Sequence, residues 1–299
     1  MRTLGLFLAL ILVTLAAMAA LTYPVWLWLY PHFGFPFHRV ADRIGMLVLG
    51  AGTLVLARRL GLWDRASWGF GAPRAVFLRE LLIGFALGAP LMAGVVGVMA
   101  ALHLREWKAG IALDAASLTA IAGVGLLRGC AVALIEETFL RGVLFSGIAR
   151  ESGVRVAVLA TAILYAITHF VGRYHIAADR VGPFSGLELL AGTLSGLAHP
   201  LGIADAFLCL AAVGAVLGLV RALTGHIGAC LGLHASWVWV ITFVRETSAP
   251  DPHAPLGFLL SRFDGVVGWL VLGWTVLIGV ALGAFYRRRR AAGFAIRGG

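Results

Sequence analysis

Five residues in this chain set reactive chemistry in apolar surroundings. Glu136, Glu137 and Arg141 lie in the run AVALIEETFLRGVLFSG, His169 in LYAITHF, and His234 in GLHASWVWV. The segments around them are hydrophobic enough to cross a bilayer, where a charged side chain at the centre costs roughly 2.5–3.5 kcal/mol on insertion scales. Residues kept at that cost face a bundle interior, where they pair or do chemistry.

Spacing separates the two acids. Glu137 and Arg141 stand four apart, acid first, which puts them on one helical face in the favourable order for an internal ion pair. Glu136 is turned about 100° away and lacks that partner. A lone carboxylate there suits a general base. The competing reading is that both acids share Arg141 and only pack helices. Depth links the acids to the histidines. Glu136 lies 14 residues before Arg150, His169 lies 14 after Arg155, and His234 lies 13 after Arg221. At about 1.5 Å per residue, all three sit roughly 20 Å from one membrane face. Converging Glu and His polarise a water molecule, directly or through a metal ion. Attack on a peptide carbonyl then needs donors for the oxyanion. His234 is one such group, and Val238 lies on the same helical face one turn on.

The elements that must position these groups are membrane helices. Hydrophobic residues make up 61% of the 299 positions and charged residues 13%, far from the balance of a soluble domain. The expectation is an all-α polytopic bundle of about eight transmembrane helices around an internal polar cavity. Helices are expected near 4–29, 44–60, 77–102, 116–149, 154–172, 204–223, 226–246 and 265–286. The N-terminal run also has the look of a signal peptide, but its apolar stretch continues to Tyr30, which favours an uncleaved span. A Gly-rich stretch, 173–203, is too broken for a clean span and suits an interfacial or re-entrant segment. Three parts follow: N-terminal helices over 1–115, a core over 116–246 that carries the chemistry, and a last helix with a basic tail over 247–299.

The net charge of +10 comes from arginines in short connections and the tail, which favours a cell-membrane protein with both termini cytoplasmic. No basic face with stacking aromatics suggests nucleic acid as a partner. Cys130, Cys209 and Cys230 lie in apolar segments without CxxC spacing and read as small hydrophobes. HExxH is absent, the Ser-Gly pairs lack a nucleophile setting, and no span carries an aspartate pair.

Glu136-Glu137-Thr-Phe-Leu-Arg141 resembles the EExxxR motif of the CPBP family, the CAAX-protease and bacteriocin-processing (Abi-type) intramembrane proteases. Tyr165-xxx-His169 is similar to its second motif, usually Phe-xxx-His. The run from Gly214 to Trp237 resembles the stretch leading into its third, His-xxx-Asn. The resemblance implies Glu136 as water-activating base with His169 as its partner, Glu137 and Arg141 in support, and His234 as oxyanion donor. It implies a membrane-anchored or lipidated protein or peptide as substrate, with the lipid bilayer as its setting. It implies no required cofactor, while leaving open a divalent metal such as zinc on Glu136, His169 and His234. Two positions depart from the pattern. Tyr165 replaces Phe and adds a hydroxyl, and Val238 stands where the family usually has Asn. The chain holds no Asn and no Gln at all, so any donor replacing that amide is of another kind. Ser236, Trp237, Thr168 and His226 are the candidates. The reading is an intramembrane endopeptidase. Its rivals are a family member that has lost catalysis and serves as an immunity or membrane partner, and a transporter with an ionisable relay.

Overall fold

The computed structural model describes residues 1–111, 114–171, 174–197 and 200–292. Residues 173, 198 and 199 of the Gly-rich stretch, and 293–299 of the basic tail, lie outside the described residues. Among the described residues, ten α-helices follow one another: α1 Arg2–Phe33, α2 Phe37–Arg59, α3 Arg74–Ala101, α4 Ala115–Glu137, α5 Phe145–Ser152, α6 Val154–Thr168, α7 Ser185–Leu197, α8 Ala204–Thr224, α9 Gly228–Thr247 and α10 Trp269–Ala291. Among the described residues, seven helical stretches are long and apolar enough to cross a membrane: α1, α2, α3, the α4-to-α5 unit, α8, α9 and α10. The protein is thus an all-α, multi-pass membrane protein. Two short strands, β1 Arg105–Trp107 and β2 Ser248–Pro250, pair antiparallel and tie the end of α3 to the end of α9.

Helix α9 is the axis of the bundle, packed most extensively on α3 and α4. Lipid offers no hydrophobic drive between helices, so close approach relies on small residues at the seams. Gly84 and Gly88 of α3, Gly125 and Gly129 of α4, and Gly228 and Gly232 of α9 supply them, each pair four apart. The approach is backbone to backbone. A Cβ at Gly232 would overlap the Leu81 carbonyl oxygen, and one at Gly129 would overlap that of Ala235. On the other side of the site, α8 packs on α6 and α10. α1 and α2 form a flanking hairpin whose own cluster includes Met18, Trp26, Phe37 and Ile44, joined by Leu189 of α7.

Three local departures from the expected helices bear on function. The expected helix 116–149 is continuous in direction but changes type. Residues Thr138–Leu144 form a π-helical segment directly after Glu137. Such wider turns inside α-helices recur at functional sites because they re-aim side chains. Helix α6 stops at Thr168 rather than near 172. Its 15 residues reach only about 22 Å, short of a 30 Å hydrocarbon core. Thr168 Oγ1 donates to the Tyr165 carbonyl at 2.9 Å, and His169 Nδ1 donates to the same oxygen at 2.8 Å. Side chains therefore satisfy a helix end that lipid could not, as broken backbone at membrane depth requires. Within the Gly-rich stretch, α7 is a short helix. The segment between β2 and α10 folds inward, burying Leu260, Val266 and Val267.

Candidate active site

Glu137, Arg141 and His234 meet where α4, its π-helical extension and α9 come together, with Glu136 beside His234 and His169 of the α6 end reached through Tyr165. Glu137 and Arg141 are both fully buried, and Arg141 Nη1 donates to Glu137 Oε1 at 3.0 Å. The expected internal ion pair is present in the structure. Its remaining polar contacts come from other helices. Arg141 Nη2 donates to the Gly214 carbonyl of α8 at 3.1 Å, and the guanidinium lies 4.8 Å over the Tyr165 ring. Arg221, which the sequence places at the inner end of α8, is buried instead, and its Nε donates to the Arg141 carbonyl at 2.9 Å. This anchors the π-helical turn from across the bundle. Only the position of Arg221 near a helix end hinted at it, and a loop arginine reads the same way.

His234 lies between the two acids. Its Nδ1 lies 2.8 Å from Glu137 Oε1, whereas Glu136 Oε2 is 3.9 Å from its Nε2. The histidine is therefore held by Glu137, not by Glu136. The carboxylate accepts, so Nδ1 carries the proton, and Nε2 is left facing Glu136. Glu137 thus joins Arg141 and His234 through a single oxygen. The reason is rotational: α9 turns the His234 ring to the face of α4 that carries Glu137, which a helical count on α4 alone does not reveal.

Glu136 is left as the uncommitted acid. Its side chain is about a third exposed, yet Oε2 is buried without a hydrogen-bond partner. Glu137 Oε2, Thr138 Oγ1 and Arg141 Nε are likewise buried and unpartnered. Tyr165 is the aromatic hub beside them. Its ring lies 4.4 Å from the His169 ring and 5.9 Å from the His234 ring, edge-on to the latter. The ring packing of the second motif thus brings the two histidines to one place.

Tyr165, His169, His234, Trp237 and Val238 line a common cavity of about 170 Å³. Its far wall is built by residues the sequence did not single out as functional: Arg245 near the end of α9 and Asp264 of the inward-folded segment, which form an ion pair. Asp264 also accepts from the Val266 and Val267 amides, so the wall is fixed to backbone. Asp264 sits in a Phe-Asp-Gly turn, the only sequence signal it had. Val238 lines the cavity as expected and brings no polar atom. Among the described residues, no three His, Cys, Asp or Glu side chains are grouped so as to hold a metal ion. His169 and His234 each have Nδ1 engaged, by the Tyr165 carbonyl and by Glu137 respectively.

The family model described as type II CAAX prenyl endopeptidase Rce1-like matches residues 117–240. Residues 117–240 are thus similar to this Rce1-like family. The Rce1-like segment runs from α4 into α9 and so contains Glu136, Glu137, Arg141, Tyr165, His169, His234 and Val238. It nearly coincides with the 116–246 core that the three motifs outlined. The match supports, at the family level, a peptidase core. No curated protein and no solved structure matches the chain.

Proposed function

We propose that this protein is an intramembrane endopeptidase that hydrolyses a peptide bond of a membrane-anchored, lipidated substrate, with Glu136 activating the water. The observation that carries this reading is the division between two adjacent acids. Glu137 is fully buried and occupied by Arg141 and His234, while Glu136 is partly exposed and keeps an unpartnered oxygen beside His234. A base must have a lone pair free for a proton and must reach water, and of the two acids Glu136 is the one whose side chain is partly exposed.

Glu136 takes a proton from water as the water oxygen bonds to the carbonyl carbon, and the carbonyl π pair moves onto oxygen. Collapse of that tetrahedral adduct breaks the C–N bond. The proton held by Glu136 passes to the departing nitrogen, giving a free amine and a new carboxylic acid, which releases its remaining proton to the amine or to solvent. His169, on the cavity wall, orients the water with Glu136. His234 stands against the developing oxyanion, positioned by Glu137. No step is routed through a metal.

The type II CAAX prenyl endopeptidase description of the family supports a prenylated protein C-terminus as substrate. The purified protein in lipid nanodiscs, given a farnesylated peptide ending in Cys-aliphatic-aliphatic-X, is expected to release the last three residues. Mass spectrometry reads the product. An intact peptide with this and with unprenylated membrane peptides would favour the non-catalytic partner reading, for which Val238 is the specific observation.

A further inference from the structure

The cavity lacks the side-chain amide that the third motif usually supplies, and Val238 offers no replacement. We infer that the indole N–H of Trp237 is the oxyanion donor that takes over from that amide. This inference rests on the glutamate-water reading above and names a further residue for it.

Four alternatives suggested by the sequence are separated by their hydrogen bonds. Ser236 Oγ donates to the Leu233 carbonyl of its own helix at 2.8 Å. Thr168 Oγ1 is spent on the Tyr165 carbonyl. His226 Nδ1 accepts from the Gly228 amide at 3.1 Å, and its ring packs at 5.7 Å on Phe77, away from the cavity lining. Trp237 remains. It is 6% exposed, lines the cavity, and its Nε1 is buried with no acceptor.

That orphan is unusual within this molecule. Trp239 Nε1 donates to the Ala122 carbonyl at 2.9 Å, Trp274 Nε1 to Leu91 at 2.8 Å, and Trp26 Nε1 to Phe35 at 3.0 Å. A buried N–H without a partner is costly, so its retention on a cavity wall calls for an acceptor that arrives with the reaction. Position agrees with chemistry. Trp237 follows His234 by three residues and Val238 by four, so both sit one turn further on the same face of α9. The other unpartnered cavity N–H, Arg245 Nε, is eight residues beyond Trp237, about 12 Å further along the helix. An indole donor also differs from His234 in kind. With Nδ1 donating to Glu137, His234 offers a second N–H only when doubly protonated. Indole is a donor at every working pH.

The test uses the full-length protein in nanodiscs and the farnesylated peptide, with kcat and KM measured separately. Trp237→Phe keeps an aromatic ring and removes the donor. It is expected to lower kcat by roughly 10²–10³ with little change in KM, the range for loss of one oxyanion donor. Adding Val238→Asn to that variant is expected to restore at least tenfold, because an amide returns to the neighbouring position. Where Trp237→Phe folds poorly, benzothienylalanine at 237 replaces N–H by sulfur in nearly the same shape, with the same expected loss. A kcat within twofold of the parent in either donor-free variant, with Glu136→Gln inactive, overturns the Trp237 assignment alone. An active Glu136→Gln protein overturns the reading on which it rests.

Discussion

Removing Glu137 should damage the fold, while removing Glu136 should spare it. In the Glu137→Ala protein the Arg141 guanidinium keeps the Gly214 carbonyl and the Tyr165 ring face but loses its only carboxylate. His234 Nδ1 loses its acceptor at the same time. Both groups are at most 3% exposed. Breaking a buried pair from one side costs about 3–5 kcal/mol because a buried charge is left uncompensated. At roughly 2–4 °C per kcal/mol for a sizeable chain, that is a fall of about 6–20 °C in unfolding temperature. Glu136 has a partly exposed side chain and no hydrogen bond to lose, so Glu136→Ala should shift it by under about 4 °C. Thermal unfolding of the three proteins in one detergent reads the difference. Replacing both members, Glu137→Leu with Arg141→Met, should recover most of the loss, since paired apolar replacement is often neutral. Equal shifts for the two single variants, or a larger one for Glu136→Ala, would refute the division of roles.

Other expectations follow from single observations. His226, in the turn between α8 and α9, is held down to about 4 by burial and by nearby Arg221. The unfolded chain therefore takes up this proton below about pH 6.5 while the folded one does not, so stability falls as pH drops from about 6.5 to 4. The fall in unfolding temperature between pH 7.5 and 4.5 should be smaller in His226→Phe. Gly232→Val should force α3 and α9 apart, costing about 1–3 kcal/mol or more and lowering the yield of folded protein, read by size-exclusion chromatography. Dialysis against a strong chelator should leave the peptidase rate unchanged, and a rate restored only by added zinc would contradict the metal-free route.

Much of this architecture was legible because bilayer length and hydrophobicity leave few choices. Each of the eight expected spans has a helix at its place, and the Glu137–Arg141 pair follows from spacing alone. What escaped depends on rotation between helices. A helical count fixes which residues share a face of α4, but the angle at which α9 meets that face decides whether His234 finds Glu136 or Glu137. The π-helical turn had no signal, because Thr138–Leu144 is also an acceptable α-helical sequence. The early end of α6 was hidden for a related reason: His169 and Phe170 continue an apolar pattern, and the cap consists of side chains folding back on the Tyr165 carbonyl. Asp264 was missed because it reaches the cavity on a connecting segment, outside any periodic pattern.

The central claim is that Glu136 takes the proton from the attacking water. Single-turnover cleavage of the farnesylated peptide by Glu136→Gln, in nanodiscs and with folding checked by unfolding temperature, tests it most directly. The account predicts a folded protein whose cleavage rate falls at least 10²-fold, the lower range for loss of a general base. A folded Glu136→Gln protein that cleaves at the parent rate would contradict it.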